Sequence, residues 1–84
     1  MAEVATMRAA PPERPMAVWR LPNGREVGRV SQGVALDGSG RPAAVYFAQA
    51  VGLPKEPCPR FACAKTKVET ALMALGLPAT GVLL

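Results

Sequence analysis

A turn signal lies between two strand-like runs near the start of the chain, within Met16 to Val30 (MAVWRLPNGREVGRV). Asn23-Gly24 alone favours a two-residue type I′ hairpin turn, but that turn needs a strand N–H at Pro22, which has none. A type I turn that starts at Pro22, with Gly24 as a left-handed bulge, avoids the conflict. The sequence therefore predicts a first hairpin over residues 16–30.

The turn type also fixes the pairing of the two strands, and it places Trp19 opposite Val27. Because strand side chains alternate, Arg29 would share a face with these two residues, whereas Val18 and Val30 would lie on the other face. Both faces then mix apolar and charged residues. The pattern by itself leaves open which face is buried.

Trp19 is the only tryptophan, and it has two interpretations. If Val18 and Val30 face the core, Trp19 is displayed with Arg25 and Arg29 beside it, which makes a stacking and cation–π surface. If Trp19 faces the core instead, the arginines lie at the edge with their aliphatic stems against the sheet. Large aromatic side chains are mostly buried, which favours the second interpretation.

The remaining pattern predicts an α+β fold with a small antiparallel sheet of three to four strands and one C-terminal amphipathic helix. Ser31-Gln32-Gly33 predicts a break or bulge before a short third strand at 34–37. If Asp37–Gly40 is a hairpin loop, residues 43–48 form a fourth strand. The alternative is an Ala-rich helix that ends at Gly52-Leu53-Pro54, a typical helix stop. We favour the strand.

The clearest helix is predicted over about 61–75. Its apolar residues recur at a spacing of three and four, as on one helical face; they are Phe61, Ala64, Val68, Ala71, Leu72 and Leu75. Gly76-Leu77-Pro78 predicts its end. Pro59 suits a start near 61, whereas Thr66–Glu69 reads as a capping box that would start the helix later. The apolar residues 80–84 could add a final edge strand.

Length and composition predict one small domain over 16–84, preceded by a flexible Pro-rich tail over 1–15. No apolar run approaches the roughly 20 residues that a membrane span requires. The N-terminus lacks the basic and apolar regions of a signal peptide. We therefore expect a cytoplasmic protein without structural disulfides.

Catalytic chemistry is hard to build from this sequence. The chain has no histidine, which removes the commonest general base near neutral pH. Its six acidic residues are scattered, with no pair at helical or cross-strand spacing. We therefore expect no enzyme activity.

Two motifs resemble ligand sites, and each has a simpler interpretation. Gly38–Ala43 fits a loose dinucleotide fingerprint, but Pro42 removes an N–H that the phosphates would need, so the segment is better interpreted as a hairpin loop. Cys58 and Cys63 could form half a zinc site, but no histidine or further cysteine completes it. The sequence predicts free thiols, no metal and no cofactor.

The remaining functional feature is a basic surface, since ten Lys and Arg residues against six acids give a net charge of +4. The predicted binding surface consists of Trp19, Arg20, Arg25, Arg29, Arg41, Lys65 and Lys67. Our first hypothesis is a small non-enzymatic regulator or inhibitor that acts by protein–protein contact, a character that fits small proteins of mobile genetic elements. The alternative is a nucleic-acid-binding module that uses the basic hairpin face. Neither hypothesis involves a membrane.

Overall fold

The computed structural model of the protein describes residues 13–84, which form five strands and one helix. In chain order these are β1 (Arg14–Arg20), β2 (Glu26–Leu36), β3 (Pro42–Ala50), β4 (Glu56–Cys58), α1 (Phe61–Ala74) and β5 (Thr80–Leu83). All strand pairs are antiparallel, and the sheet order is β4-β3-β2-β1-β5. The α+β fold with a C-terminal helix is confirmed, but the sheet has five strands rather than three to four.

Three differences account for the strand count. The possible edge strand at 80–84 is present as β5, β4 is an additional strand, and the predicted second and third strands are one strand, β2. β2 continues through the expected break at 31–33, because Gly33 provides space rather than a turn: a Cβ there would lie 2.8 Å from Cε2 of Phe47. β4 was not expected, since three prolines surround or interrupt it. At the edge of a sheet Pro57 needs no N–H partner, so the proline is tolerated.

The N-terminal boundary also differs from the prediction. β1 begins at Arg14, so residues 14–15 of the predicted tail belong to the sheet, where Pro15 pairs with Ser31. Glu13, just before the strand, forms an ion pair with Lys55. Residues 1–12, the rest of the predicted tail, lie outside the described residues.

The first turn has the predicted geometry. Gly24 has φ of 90° and donates its N–H to the carbonyl of Leu21 at 2.8 Å, while Leu21 donates to the carbonyl of Arg25 at 2.9 Å. The Asn23 carboxamide oxygen accepts a further hydrogen bond from the N–H of Arg25 at 2.9 Å. A type I turn followed by a left-handed glycine is thus confirmed.

The pairing beyond this turn differs from the prediction at one residue. Arg20 pairs with Glu26 as the turn type requires, but Trp19 pairs with Gly28 rather than Val27. Val27 is the extra residue of a β-bulge, which inserts one residue into one strand only. Past the bulge the alternation is shifted by one, so the predicted distribution of later β2 side chains between the two faces is wrong.

The second loop repeats the pattern of the first. Asp37 donates its N–H to the carbonyl of Arg41 at 2.8 Å, and Gly40, with φ of 82°, donates to the carbonyl of Asp37 at 3.0 Å. The hairpin loop and the strand over 43–48 are confirmed, and the alternative helix is wrong. Gly52 instead closes a turn in which Leu53 donates to the carbonyl of Ala50 at 3.1 Å.

The helix α1 covers one face of the sheet, and its limits agree with the predicted 61–75 to within one residue. Ala64, Val68 and Leu72 are buried against the sheet, as their spacing predicts. Leu75 was expected on this face but is exposed, because it caps the helix. After it Leu77 donates its N–H to the carbonyl of Leu72 at 3.0 Å, which gives the Gly76 stop its expected Schellman form.

Candidate functional site

Trp19 is part of the core and not of the surface. Its side chain is 3% exposed and belongs to the buried cluster with Val68 and Leu72. The indole lies against the backbone of β5, where a Cβ on Gly81 would be 2.6 Å from Nε1 of Trp19. The interpretation that displayed Trp19 between arginines is therefore wrong, and the interpretation that buried it is correct.

The predicted basic residues do not form one surface. Arg20 and Arg25 lie at the turn between β1 and β2, whereas Arg41 lies beyond the opposite end of β2. The ten residue steps of β2 at about 3.3 Å each separate these ends by roughly 33 Å. Lys65 and Lys67 are exposed on α1, which covers one face of the sheet.

Arg29 lies on the other face, as a consequence of the bulge. The extra residue returns Glu26 and Arg29 to one side of β2, where Nε and Nη2 of Arg29 donate to the Glu26 carboxylate at 2.9 and 3.0 Å. These hydrogen bonds, with the positive charge of Arg29, hold the pKa of Glu26 below its ordinary value.

Ion pairs occupy half of the predicted basic side chains. Besides Arg29, Lys67 donates to Glu56 at 2.8 Å, which raises the pKa of Lys67 through that hydrogen bond, and Lys65 lies 3.8 Å from Glu69. Arg20, Arg25 and Arg41 are exposed and form no ion pair with an acid of residues 13–84. These three arginines are the members of the predicted surface whose charges are not balanced by a bonded neighbour.

A second surface, which the sequence did not indicate, is the projecting part of the β2–β3 hairpin. We call it the arm: residues 33–36, the loop 37–41 and residues 42–45. Within residues 13–84 the pairing of β1 with β2 ends at Gln32, and that of β4 with β3 ends at Tyr46, so the arm extends beyond both of these neighbouring strands.

The side chains of the arm are unusually apolar for an exposed ribbon. Val34 and Leu36, on the helix side of β2, are 53% and 71% exposed. Their partners across the hairpin are Ala44 and Pro42, so this face carries no charge. In the sequence, the only sign of this surface is the uncharged run of residues 33–36, which contains neither a basic residue nor a known motif.

The tip of the arm is held by its own hydrogen bonds. One carboxylate oxygen of Asp37 accepts from the Ser39 N–H at 2.8 Å, the Ser39 hydroxyl at 2.6 Å and the Arg41 N–H at 3.0 Å. The Ser39 hydroxyl contributes most to the lowered pKa of Asp37. The loop is therefore ordered, and it carries the exposed side chain of Arg41 at the end of the apolar ribbon.

The two cysteines lie close together where β4 leads into α1. Cys58 is buried at the end of β4, Cys63 is exposed in the first helical turn, and both are free thiols. Burial raises the pKa of the Cys58 thiol, and the neighbouring Cys63 thiol raises it further. Within residues 13–84, no group of three or more His, Cys, Asp and Glu side chains is arranged to hold a metal ion.

Comparison of the chain with protein-family models, with curated proteins and with solved structures finds no match. In the part of the chain that the structure describes, no helix has the length and apolar character needed to span a membrane.

Proposed function

We propose that this chain is a small non-enzymatic binding protein, a regulator or inhibitor that acts by protein–protein contact through the arm. The observation that carries the proposal is the exposure of Val34 and Leu36 on a ribbon that projects beyond the rest of the sheet. Contiguous apolar side chains at a protein surface are typical of interaction sites.

The arm has features that favour binding over a merely structural role. A two-stranded ribbon gains little stability in water on its own, so exposed aliphatic side chains there do not serve the core. The ordered loop at its tip lowers the entropy that binding would cost. Arg41 supplies the type of residue that is enriched at the energetic centres of interfaces, and we assign it the role of a polar contact beside the apolar patch.

A nucleic-acid-binding module remains the second candidate, supported by the exposed Arg20 and Arg25 at the first turn. Burial of Trp19 removes the aromatic platform on which single-stranded bases would stack. Ion pairs with acids neutralise half of the predicted basic side chains, which leaves fewer cations to contact phosphates. These features make the protein partner the preferred hypothesis.

The test compares the partners captured by the native chain with those captured by two matched variants. Leu36→Asp places a charge on the arm, and Val51→Asp places the same charge on an exposed apolar residue at the opposite end of the sheet. We expect one protein to be lost with Leu36→Asp and retained with Val51→Asp, and to bind the purified native chain directly in calorimetry. Equal capture by both variants would contradict the role of the arm.

The nucleic-acid hypothesis is tested separately by fluorescence anisotropy of labelled single- and double-stranded oligonucleotides at two salt concentrations. A phosphate contact made by Arg25 predicts salt-sensitive binding whose logarithmic salt slope falls by about one unit in Arg25→Ala. Under the protein-binding proposal the oligonucleotides do not bind even at low salt.

A further inference from the structure

The two edges of the sheet are protected to very different degrees. β4, at one edge, has three residues, Pro57 at its centre and an ion pair from Glu56 to Lys67. Short length, proline and charge are the usual means by which an edge strand avoids pairing with another chain. β5, at the other edge, is also short at four residues, but residues 80–84 contain neither proline nor charge, and its outer side pairs with no strand of residues 13–84.

The backbone of β5 directs specific groups outward. Leu84 donates its N–H to the carbonyl of Met16 at 3.0 Å, towards β1. Because backbone groups of a strand alternate in direction, those of Val82 also face β1, whereas those of Gly81 and Leu83 point away from the sheet. Two residues of β5 thus offer both a donor and an acceptor to an added strand.

The side chains beside this edge provide a matching cavity. A surface cavity of about 350 Å³ lies next to β5 on the helix face; Trp19, Met73, Leu77 and Gly81 contribute to its wall, and Glu69 is its one charged lining residue. Gly81 forms part of the cavity wall at this edge, and because it has no side chain the indole of Trp19 lies directly against it. An aliphatic side chain directly opposite Gly81 on an added strand would lie beside this indole and the cavity.

We propose that β5 pairs with β5 of a second copy, antiparallel and centred on Val82, so that the two sheets become one. In this register Gly81 of one copy is opposite Leu83 of the other, and the outward backbone groups of both residues are satisfied. Each Leu83, which is 68% exposed in the single chain, enters the cavity of the partner copy. The same segment therefore supplies both the apolar side chain and the cavity that receives it.

The charges of the two copies do not oppose this pairing. Thr80–Leu84 carries no charged side chain, so no like charges face each other across the new edge. Beside it on β1 lies the cation Arg20, which pairs with Thr80. From strand spacings of about 4.8 Å and about 3.4 Å per residue, the two copies of Arg20 lie roughly 20 Å apart, beyond the Debye length of about 10 Å at 0.1 M salt.

The register is tested by disulfide trapping in a Cys58→Ser/Cys63→Ser background, with oxidised glutathione as the oxidant. The two Val82 residues face each other as a non-hydrogen-bonded pair, with Cα atoms about 4.5 Å apart, which suits a disulfide. The Thr80 residues of the two chains, by contrast, are offset by four residues, which is roughly 14 Å along the strand. We expect Val82→Cys to cross-link and Thr80→Cys to form no cross-link.

Sedimentation of the native chain supplies the second measurement. We expect a dimer, and at least about tenfold weaker association in Leu83→Asp, because the aspartate would bring a negative charge into the cavity beside Glu69. Circular dichroism of Leu83→Asp checks that the fold is retained. A monomeric native chain, or equal cross-linking of both cysteine variants, would overturn the proposal. β5 and the arm are separate surfaces, so either outcome leaves the test of the proposed function unaffected.

Discussion

Arg29 and Glu26 form a two-pronged ion pair although they are three residues apart on one strand. In an uninterrupted strand, residues at this spacing point to opposite faces. The pair exists because the bulge at Val27 shifts the alternation by one. Arg29 also lies opposite Val18, which is only 1% exposed on the face that α1 does not cover. The bulge thus places Trp19 and Val27 in the core while it positions an arginine stem beside Val18.

The first prediction separates the charge of Arg29 from its stem. Arg29→Met keeps an apolar stem and loses the ion pair, so we expect a loss of about 0.5 kcal/mol in the free energy of unfolding at pH 7, as for an exposed pair. Arg29→Ala also uncovers Val18 and should cost more. Urea unfolding of the three chains measures both differences, with Arg25→Ala as the control that has no ion pair within residues 13–84.

The pH dependence of the Arg29→Met difference follows from the lowered pKa of Glu26. A carboxyl group whose pKa is lower in the folded state contributes stability above its unfolded pKa and loses it as the pH falls through the folded pKa. The Arg29→Met difference should therefore be complete above the ordinary value of 4.5 and be lost as the pH falls through the lowered pKa of Glu26 in the folded state. A difference that persists in acid would show that packing, and not the ion pair, is responsible.

Much of the fold could be predicted because its signals are local. The turn at Pro22-Asn23-Gly24 depends on proline and glycine geometry, and the helix depends on the spacing of apolar residues within 61–75. The continuity of β2 could not be predicted in this way. Gly33 is needed because the ring of Phe47, on another strand, occupies the space that a side chain at residue 33 would take. A single sequence gives no sign of that contact.

The candidate site was less predictable than the fold, for a related reason. One extra residue at Val27 decides whether Arg29 shares a face with Trp19, and the burial of Trp19 depends on β5, about sixty residues further along the chain. Charge and aromatic content drew attention to the first hairpin. The arm is defined instead by where the neighbouring strands end, which is a property of the sheet and not of residues 33–45 alone.

The second prediction concerns the close approach of α1 to β2 at Gly28. A Cβ on Gly28 would lie 2.6 Å from Cγ1 of Val68 and 3.2 Å from Cδ1 of Leu72. Val68 is β-branched and buried, so it has little freedom to move. We expect Gly28→Ala to lower the free energy of unfolding by about 1–3 kcal/mol, as in other overpacked cores.

Two further variants test this explanation by urea unfolding. Gly38→Ala is the control, since a Cβ at Gly38 meets no atom within 4 Å. In a Val68→Ala background the space for the new methyl group exists, so Gly28→Ala should cost much less there. An equal cost in both backgrounds would mean that the conformational freedom of glycine, and not contact with Val68, matters at this residue.

The third prediction uses Trp19 as the fluorescent reporter of β5 docking. A Cβ on Gly81 would lie 2.6 Å from Nε1 and 2.9 Å from Cε2 of the indole. We therefore expect Gly81→Ala to displace β5 or the ring, with red-shifted emission and greater quenching by acrylamide. Thr80→Ala, at the exposed neighbouring residue, should leave the spectrum unchanged. Equal spectra for all three chains would contradict the contact between Trp19 and Gly81.

The fourth prediction is a difference in reactivity between the two thiols. The thiolate is the reactive form of cysteine, and burial both shields Cys58 and raises its pKa. Cys63 is exposed, so a maleimide should modify Cys63 well before Cys58 at neutral pH. Mass spectrometry of the chain during labelling distinguishes the two, and Cys63→Ser isolates the slow reaction.

Labelling in urea provides the control for this difference. Once the chain is unfolded, Cys58 loses its burial, so the two thiols should react at similar rates. Cys58 should then respond to any variant that loosens the packing of α1 on the sheet, because the thiol lies in the same buried cluster as Ala64 and Val68. Gly28→Ala is expected to speed the labelling of Cys58 and to leave that of Cys63 unchanged. Fast labelling of Cys58 in the native chain would contradict its place in the core.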